Sequence, residues 1–106
     1  MQFAKNSQLL KIGSNAFCNT GLAIFSAPPS LQTIEGGVFA GCAQLERIYL
    51  NHDLTTIGTE NQPGAFQDTG LTEAHLPSGL KSITNNTFAG SQLKRIVAET
   101  GIQANL

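Results

Sequence analysis

The sequence predicts a β-rich solenoid of about four coils, each of 22–26 residues, with short parallel strands and turn-rich corners. Two observations carry this. Leucine-like anchors recur in register, with Leu9, Leu31, Leu54, Leu80 and Ile102 standing 22, 23, 26 and 22 residues apart. A phenylalanine column runs beside them at Phe17, Phe39, Phe66 and Phe88. A fixed period of this size marks units that cannot bury their apolar faces alone and must stack on one another. The spacing inside one unit agrees. Across residues 39–58 the apolar positions Leu45, Ile48, Leu50, Leu54 and Ile57 fit neither the three-to-four return of a helix nor the strict alternation of a half-buried strand.

Four lines align below one another: LAIFSAPPSLQTIE from Leu22, LERIYLNHDLTTIG from Leu45, LTEAHLPSGLKSIT from Leu71 and LKRIVAETGIQANL from Leu93. In chain order, residues 1–8 make a shortened first coil, because Phe3 and Phe17 are only 14 residues apart. The repeat at about 9–30 carries the anchors Leu9 and Ile12, turns at GSNAF onto Phe17, and extends around Phe25 before the turn PPS. The repeat at about 31–53 has LQTI, the corner EGGVF onto Phe39, the strand ERIYL and the turn NHD. The repeat at about 54–79 has LTTI, the longer corner GTENQPGAF, the strand TEAHL and the turn PSG. The repeat at about 80–101 has LKSI, TNNTF, KRIVA and ETG, and 102–106 is a truncated final coil with Asn105 where an apolar residue belongs. Gly, Pro, Asn and Asp at these corners turn the chain. Equivalent segments of successive coils then lie about 4.8 Å apart as parallel strands. The whole is one domain, 1–106, with the four phenylalanines as its structural spine.

Within each aligned line, the fourth letters (Phe25, Ile48, Ala74, Ile96) and sixth letters (Ala27, Leu50, Leu76, Ala98) are expected to point inward. The third and fifth then face solvent as two columns, Ile24, Arg47, Glu73, Arg95 and Ser26, Tyr49, His75, Val97. These eight residues are the candidate ligand-binding face. Tyr and Arg are enriched at interaction hot spots, and Tyr49 lies near Arg47 and His75. A second reading stands beside this one. Arg47, Glu73 and Arg95 alternate in sign, and such a cross-strand ladder stabilises a sheet without binding anything.

The columns Leu76-Pro77, Leu80, Ile83, Phe88, and again Leu54, Ile57-Gly58, Ala65-Phe66, with Ile12-Gly13, Ala16-Phe17 and Cys42, resemble leucine-rich repeats of the BspA-like (treponemal) type. The resemblance runs from Leu9 through Ile102. It departs in three places: Asp53 holds the usual Asn or Cys slot, the post-strand Pro occurs only at Pro28 and Pro77, and the corner centred on residues 60–63 carries about four extra residues. The resemblance implies a leucine-rich repeat array acting as a non-enzymatic protein–protein interaction or adhesion module. Its implied partners are proteins, including host or matrix surface proteins, and its implied setting is the cell surface or the secreted space of a microbe or protist, as part of a longer protein. The alternative is a structural spacer or self-assembly segment. Neither end shows a polar cap, so a fragment of a longer array, or ends covered by another chain, is expected, with end-to-end self-association in the second case.

Composition narrows the classes further. Hydrophobic residues make up 41% and charged residues 12% of the chain, which suits a folded domain. The net charge is −1 and the six Lys and Arg are scattered, so no nucleic-acid stripe exists. No apolar run approaches the about 18 residues needed to span a bilayer, and no membrane insertion is expected. The N-terminal residues lack the pattern of a secretory signal. Cys18 and Cys42 fall in different columns, and the column of Cys42 otherwise holds Thr20, Thr69 and Ser91, so a small packed residue is the expected role. His52, Asp53, Glu73 and His75 do not assemble a nucleophile, base and orienting group, so no enzyme, metal or cofactor is expected. Asn85-Asn86-Thr87 is a formal glycosylation sequon in a corner turn, which makes Asn85 a candidate acceptor.

Overall fold

A computed structural model describes residues 8–98. Residues 1–7 of the shortened first coil, and Ile102, Asn105 and the rest of 102–106, lie outside the described residues.

The chain winds as a parallel β-solenoid, and among the described residues it contains no helix. Its strands are β1 (Lys11–Ile12), β2 (Ile24–Ser26), β3 (Thr33–Ile34), β4 (Arg47–Tyr49), β5 (Thr56–Ile57), β6 (Glu73–Leu76), β7 (Ser82–Ile83) and β8 (Arg95–Ala98). Odd-numbered strands stack as one continuous parallel sheet in the order β1-β3-β5-β7. Its register places Ile12, Ile34, Ile57 and Ile83 in line. Each of these isoleucines ends the short segment that follows its coil's leucine anchor. Ile34 and Ile57 are fully buried, together with Leu31 and Leu54, so the recurrence seen in sequence is the recurrence of one buried row.

Between the two kinds of strand the corner is held by its own hydrogen-bond ladder. Phe17 N–H donates to Val38 C=O (2.9 Å), Phe39 N–H to Ala65 C=O (2.8 Å) and Phe66 N–H to Thr87 C=O (2.9 Å). Two residues on, Asn19, Gly41 and Asp68 donate to Ala40, Gln67 and Ala89, each at 2.9 Å. This second row sits in the left-handed region, at φ of 58° for Asn19, 75° for Gly41 and 56° for Asp68. The corner bonds hold the phenylalanine rings in a face-to-face stack. Centroids are 5.7 Å apart for Phe17–Phe39, 5.2 Å for Phe39–Phe66 and 5.5 Å for Phe66–Phe88, with planes within 13° of parallel. Phe25 tilts onto Phe39 at 4.7 Å. Phe39 and Phe66 are fully buried, whereas Phe17 and Phe88 are half-buried.

Three features depart from the expected pattern. The even-numbered strands do not form one sheet: β2 pairs with β4 and β6 with β8, but β4 and β6 are not hydrogen-bonded. Ile96, expected inward, is 46% exposed, because β8 is the last described strand and has a described strand partner on one side only. Leu50 and Ala27, also expected inward, are half-buried. Cys42 is buried, its thiol donating to Phe17 C=O at 3.0 Å in the preceding coil and lying 3.4 Å from Thr20 Oγ1. Thr69 and Ser91, in the same column, turn back to Phe66 and Phe88 C=O of their own coils.

Candidate functional site

The even-numbered strands position the surface side chains. On β4, Ile48 is buried and leaves Arg47 and Tyr49 pointing away from the core, Tyr49 with 53% of its surface exposed. On β6, Ala74 and Leu76 are buried while His75 is exposed and Glu73 half-buried. Parallel register sets Ile24 beside Arg47 and Ser26 beside Tyr49. In the second pair of strands Glu73 lies beside Arg95 and His75 beside Val97. Ile24 and Arg95 are exposed; Ser26 and Val97 are half-buried.

The two halves of the face meet at a gap. Arg47 and Tyr49 on one side, and Glu73 and His75 on the other, border a cleft of about 260 Å³ whose floor includes Ile48. Phe39 and Leu45 are six positions apart, whereas Phe17–Leu22, Phe66–Leu71 and Phe88–Leu93 are five apart, so the corner feeding β4 is one residue longer than its neighbours. The next coil closes over that corner only because it has glycine there. A Cβ on Gly70 would come within 2.6 Å of Ala43 C=O, and one on Gly79 within 2.9 Å of His52 C=O. The chain is thus pinned against the preceding coil at both ends of β6 and stands off from it in between.

Electrostatics follow from the same gap. Glu73 Oε1 accepts from His75 Nε2 at 2.5 Å, and its Oε2 lies 3.6 Å from Arg95 Nε. The expected alternating ladder Arg47–Glu73–Arg95 is therefore only half formed. Glu73 turns along its own strand and towards β8, away from Arg47, because no ladder brings β4 and β6 together. Such exposed pairs stabilise by only about 0–1 kcal/mol. Arg47 makes no ion pair with a carboxylate among the described residues. Two irregularities of the sequence flank the gap, the additional residue before Leu45 and the longer corner GTENQPGAF before β6.

Other candidates lie elsewhere. His52 and Asp53 occupy the turn after β4 rather than the face. Among the described residues, no three His, Cys, Asp or Glu side chains are grouped to hold a metal ion. No described helix is long and apolar enough to cross a membrane. Asn85 is exposed in its corner, while Thr87 of the sequon is buried with its hydroxyl donated to Thr84 C=O at 2.7 Å.

Comparison with known proteins gives a consistent picture. The BspA type leucine rich repeat region matches residues 2–104 with six copies. Among solved structures, the chain is similar to a leucine-rich repeat protein from Bacteroides ovatus, with 30% sequence identity and a TM-score of 0.76. That similarity covers 90% of this chain and 24% of the other, so the chain spans about a quarter of that protein's length. A comparison with curated proteins found no match.

Proposed function

The chain belongs to the BspA-type leucine-rich repeat family, and from that premise we propose that it is a non-enzymatic protein-interaction module whose binding surface is the exposed face of β2, β4, β6 and β8. Repeats of this class are commonly interaction scaffolds, and stacked repeats offer extended binding surfaces. The observation that carries the choice of face is the exposure of Tyr49 next to Arg47, two hot-spot residue types at the edge of a cleft rather than locked in a ladder. Adhesion to host or matrix proteins, as one segment of a longer surface or secreted protein, is the setting we propose for it. The test compares binding of immobilised wild type and an Arg47→Ala/Tyr49→Ala double variant to an extracellular-matrix protein preparation, with Lys81→Ala, just before β7, as control. Binding lost in the double variant and kept in the control supports the proposal. Equal binding by all three refutes it.

One observation favours a second reading, assembly through the ends. An apolar groove of about 630 Å³ lies beside β8, lined by Leu76, Ile83, Phe88, Leu93 and Ile96 among others. Light scattering across concentration separates the readings. Growth of oligomers that Ile96→Glu abolishes and Arg47→Ala leaves untouched favours assembly; a monomer throughout refutes it.

A further inference from the structure

The corner GTENQPGAF carries about four residues more than EGGVF, and they are built into a fixed arch. Thr59 C=O accepts from Gln62 N–H at 3.2 Å, with Asn61 left-handed at a φ of 63°, so residues 59–62 close a turn of their own. That turn is tied to the coils on both sides. Gly36 N–H of the preceding coil donates to Thr59 Oγ1 at 3.0 Å. Asn86 Nδ2 of the following coil donates to Gln62 C=O, also at 3.0 Å. Glycine permits both approaches, since a Cβ on Gly36 would collide with Gln62 Cβ and one on Gly64 with Asn86 C=O. The corners EGGVF and TNNTF reach their phenylalanines with fewer residues, so stacking the coils does not require the arch.

Between the arch and residues 82–86, which run from β7 into the next corner, lies a hollow of about 490 Å³. Small-ligand sites typically measure about 300–1,000 Å³ and are mostly apolar. This one has the size but not the lining. Ile83, half-buried, is the one apolar residue there; the others carry hydroxyls, amides or, at Glu60, a carboxylate. No Lys, Arg or His lines it. Among the described residues, the side chains of Glu60, Asn61, Ser82 and Asn85 make no hydrogen bond within the protein. The hollow shares no residue with the face of β2, β4, β6 and β8.

This lining selects the occupant. An anion would find no counter-charge and would face Glu60. A calcium ion takes about six to eight oxygen ligands, and a single carboxylate is poor provision for it. An apolar ligand would strip water from amides and hydroxyls without replacing its hydrogen bonds. A neutral polyol meets every group present. Each sugar hydroxyl donates and accepts, as do the amides of Asn61 and Asn85, and the two oxygens of Glu60 can accept from neighbouring hydroxyls. Ile83 offers an apolar floor for the C–H face of the ring. We propose that the hollow under the 59–62 arch is a carbohydrate site, taking a neutral pyranose residue of a glycan through Glu60, Asn61 and Asn85.

The experiment is a heteronuclear NMR titration of the intact chain with the methyl glycosides of glucose, galactose, mannose and N-acetylglucosamine, to high millimolar concentration. At least one is expected to shift the side-chain amide signals of Asn61 and Asn85 saturably, leaving the main-chain amides of Arg47 and Tyr49 unmoved. Glu60 and Asn85 are exposed, so Glu60→Ala and Asn85→Ala are expected to keep the wild-type melting temperature. Glu60→Ala is expected to weaken the binding by at least ~10-fold and Asn85→Ala by roughly 2- to 10-fold. No saturable shift with any of the four glycosides overturns the proposal. An equal shift from N-acetylglycinamide or from calcium chloride overturns it too, in favour of a peptide or a cation site. Sugar binding that neither variant weakens places the ligand elsewhere and overturns the assignment.

Discussion

Phe39→Ala is the sharpest test of how the coils hold one another. The ring is fully buried and has three aromatic neighbours, Phe17 and Phe66 stacked at 5.7 and 5.2 Å and Phe25 tilted at 4.7 Å. Truncating a buried Phe to Ala costs about 3–5 kcal/mol. Aromatic pairs add about 0.5–1.5 kcal/mol beyond area, which places this site at the upper end of that range. Phe88, in the same column, is half-buried and has one described ring neighbour, Phe66 at 5.5 Å. Its truncation is expected to cost roughly 1–3 kcal/mol, in line with partial burial of a large side chain. A domain of this size is stable by about 5–15 kcal/mol, so Phe39→Ala removes a large fraction and Phe88→Ala a modest one. The assay is urea unfolding followed by far-ultraviolet circular dichroism. With a slope of about 2 kcal/mol per molar, Phe39→Ala is expected to lower the midpoint by about 2–2.5 M and Phe88→Ala by about 0.5–1.5 M. Where Phe39→Ala does not fold, Phe39→Leu against Phe88→Leu gives the same order at smaller amplitude. Equal shifts at the two positions, or a larger one at Phe88, would refute the argument that neighbour coils set the stability of each ring.

Three further outcomes are expected. Gly41→Ala is destabilising by about 1–2 kcal/mol from its φ of +75° alone, and its Cβ would stand 2.0 Å from Asn19 Oδ1; in an Asn19→Ala background the penalty is expected to shrink by at least about 0.5 kcal/mol in a double-mutant cycle, and strict additivity would sink the contact. Asn51 donates through Nδ2 to Pro29 C=O (3.1 Å) and Leu31 C=O (2.7 Å), while its buried Oδ1 is without a partner; Asn51→Ala is expected to cost about 1–2 kcal/mol, and Asn51→Asp more at neutral pH because its carboxylate would face two carbonyls. Acid should narrow that difference, since the protonated Asp can donate again; a difference that widens on acidification would contradict the geometry. Glu73→Ala is expected to change stability by less than about 1 kcal/mol, because both its partners are exposed, and a loss of 2 kcal/mol or more by thermal melting would make the Glu73–His75–Arg95 cluster structural instead.

The parts of this fold that are legible in sequence are those set by burial in every coil. Leu31 and Leu54, Ile34 and Ile57 each occupy the same buried position of successive turns, so the same residue types return at the same interval. The alternation Arg47-Ile48-Tyr49 likewise announces which side chains leave the core. What the pattern does not announce is whether neighbouring strands close the distance between them. The break between β4 and β6 is flanked by one additional residue between Phe39 and Leu45, by the longer corner before β6 and by close approaches at Gly70 and Gly79, none of which alters the apolar rhythm. Once the strands part, Glu73 takes His75 and Arg95 rather than Arg47, a choice between neighbours that residue types alone leave open. The exposure of Ile96 belongs to the same class, since it depends on what stands on the far side of the strand and not on the residue.

The odd-numbered strands form an unbroken sheet while the even-numbered ones part after the second coil of the pair. The coils of β4 and β6 are therefore hinged along one side and spread along the other, as leaves of a book are at the spine and fore-edge. The trajectory of a solenoid is the sum of small rotations from unit to unit, so one wedge of this kind redirects everything that follows it. A long array built from such units would change heading wherever one side of a coil loses its ladder and the other keeps it. The path of the superhelix can then change at one face without disturbing the buried rows that make it stable.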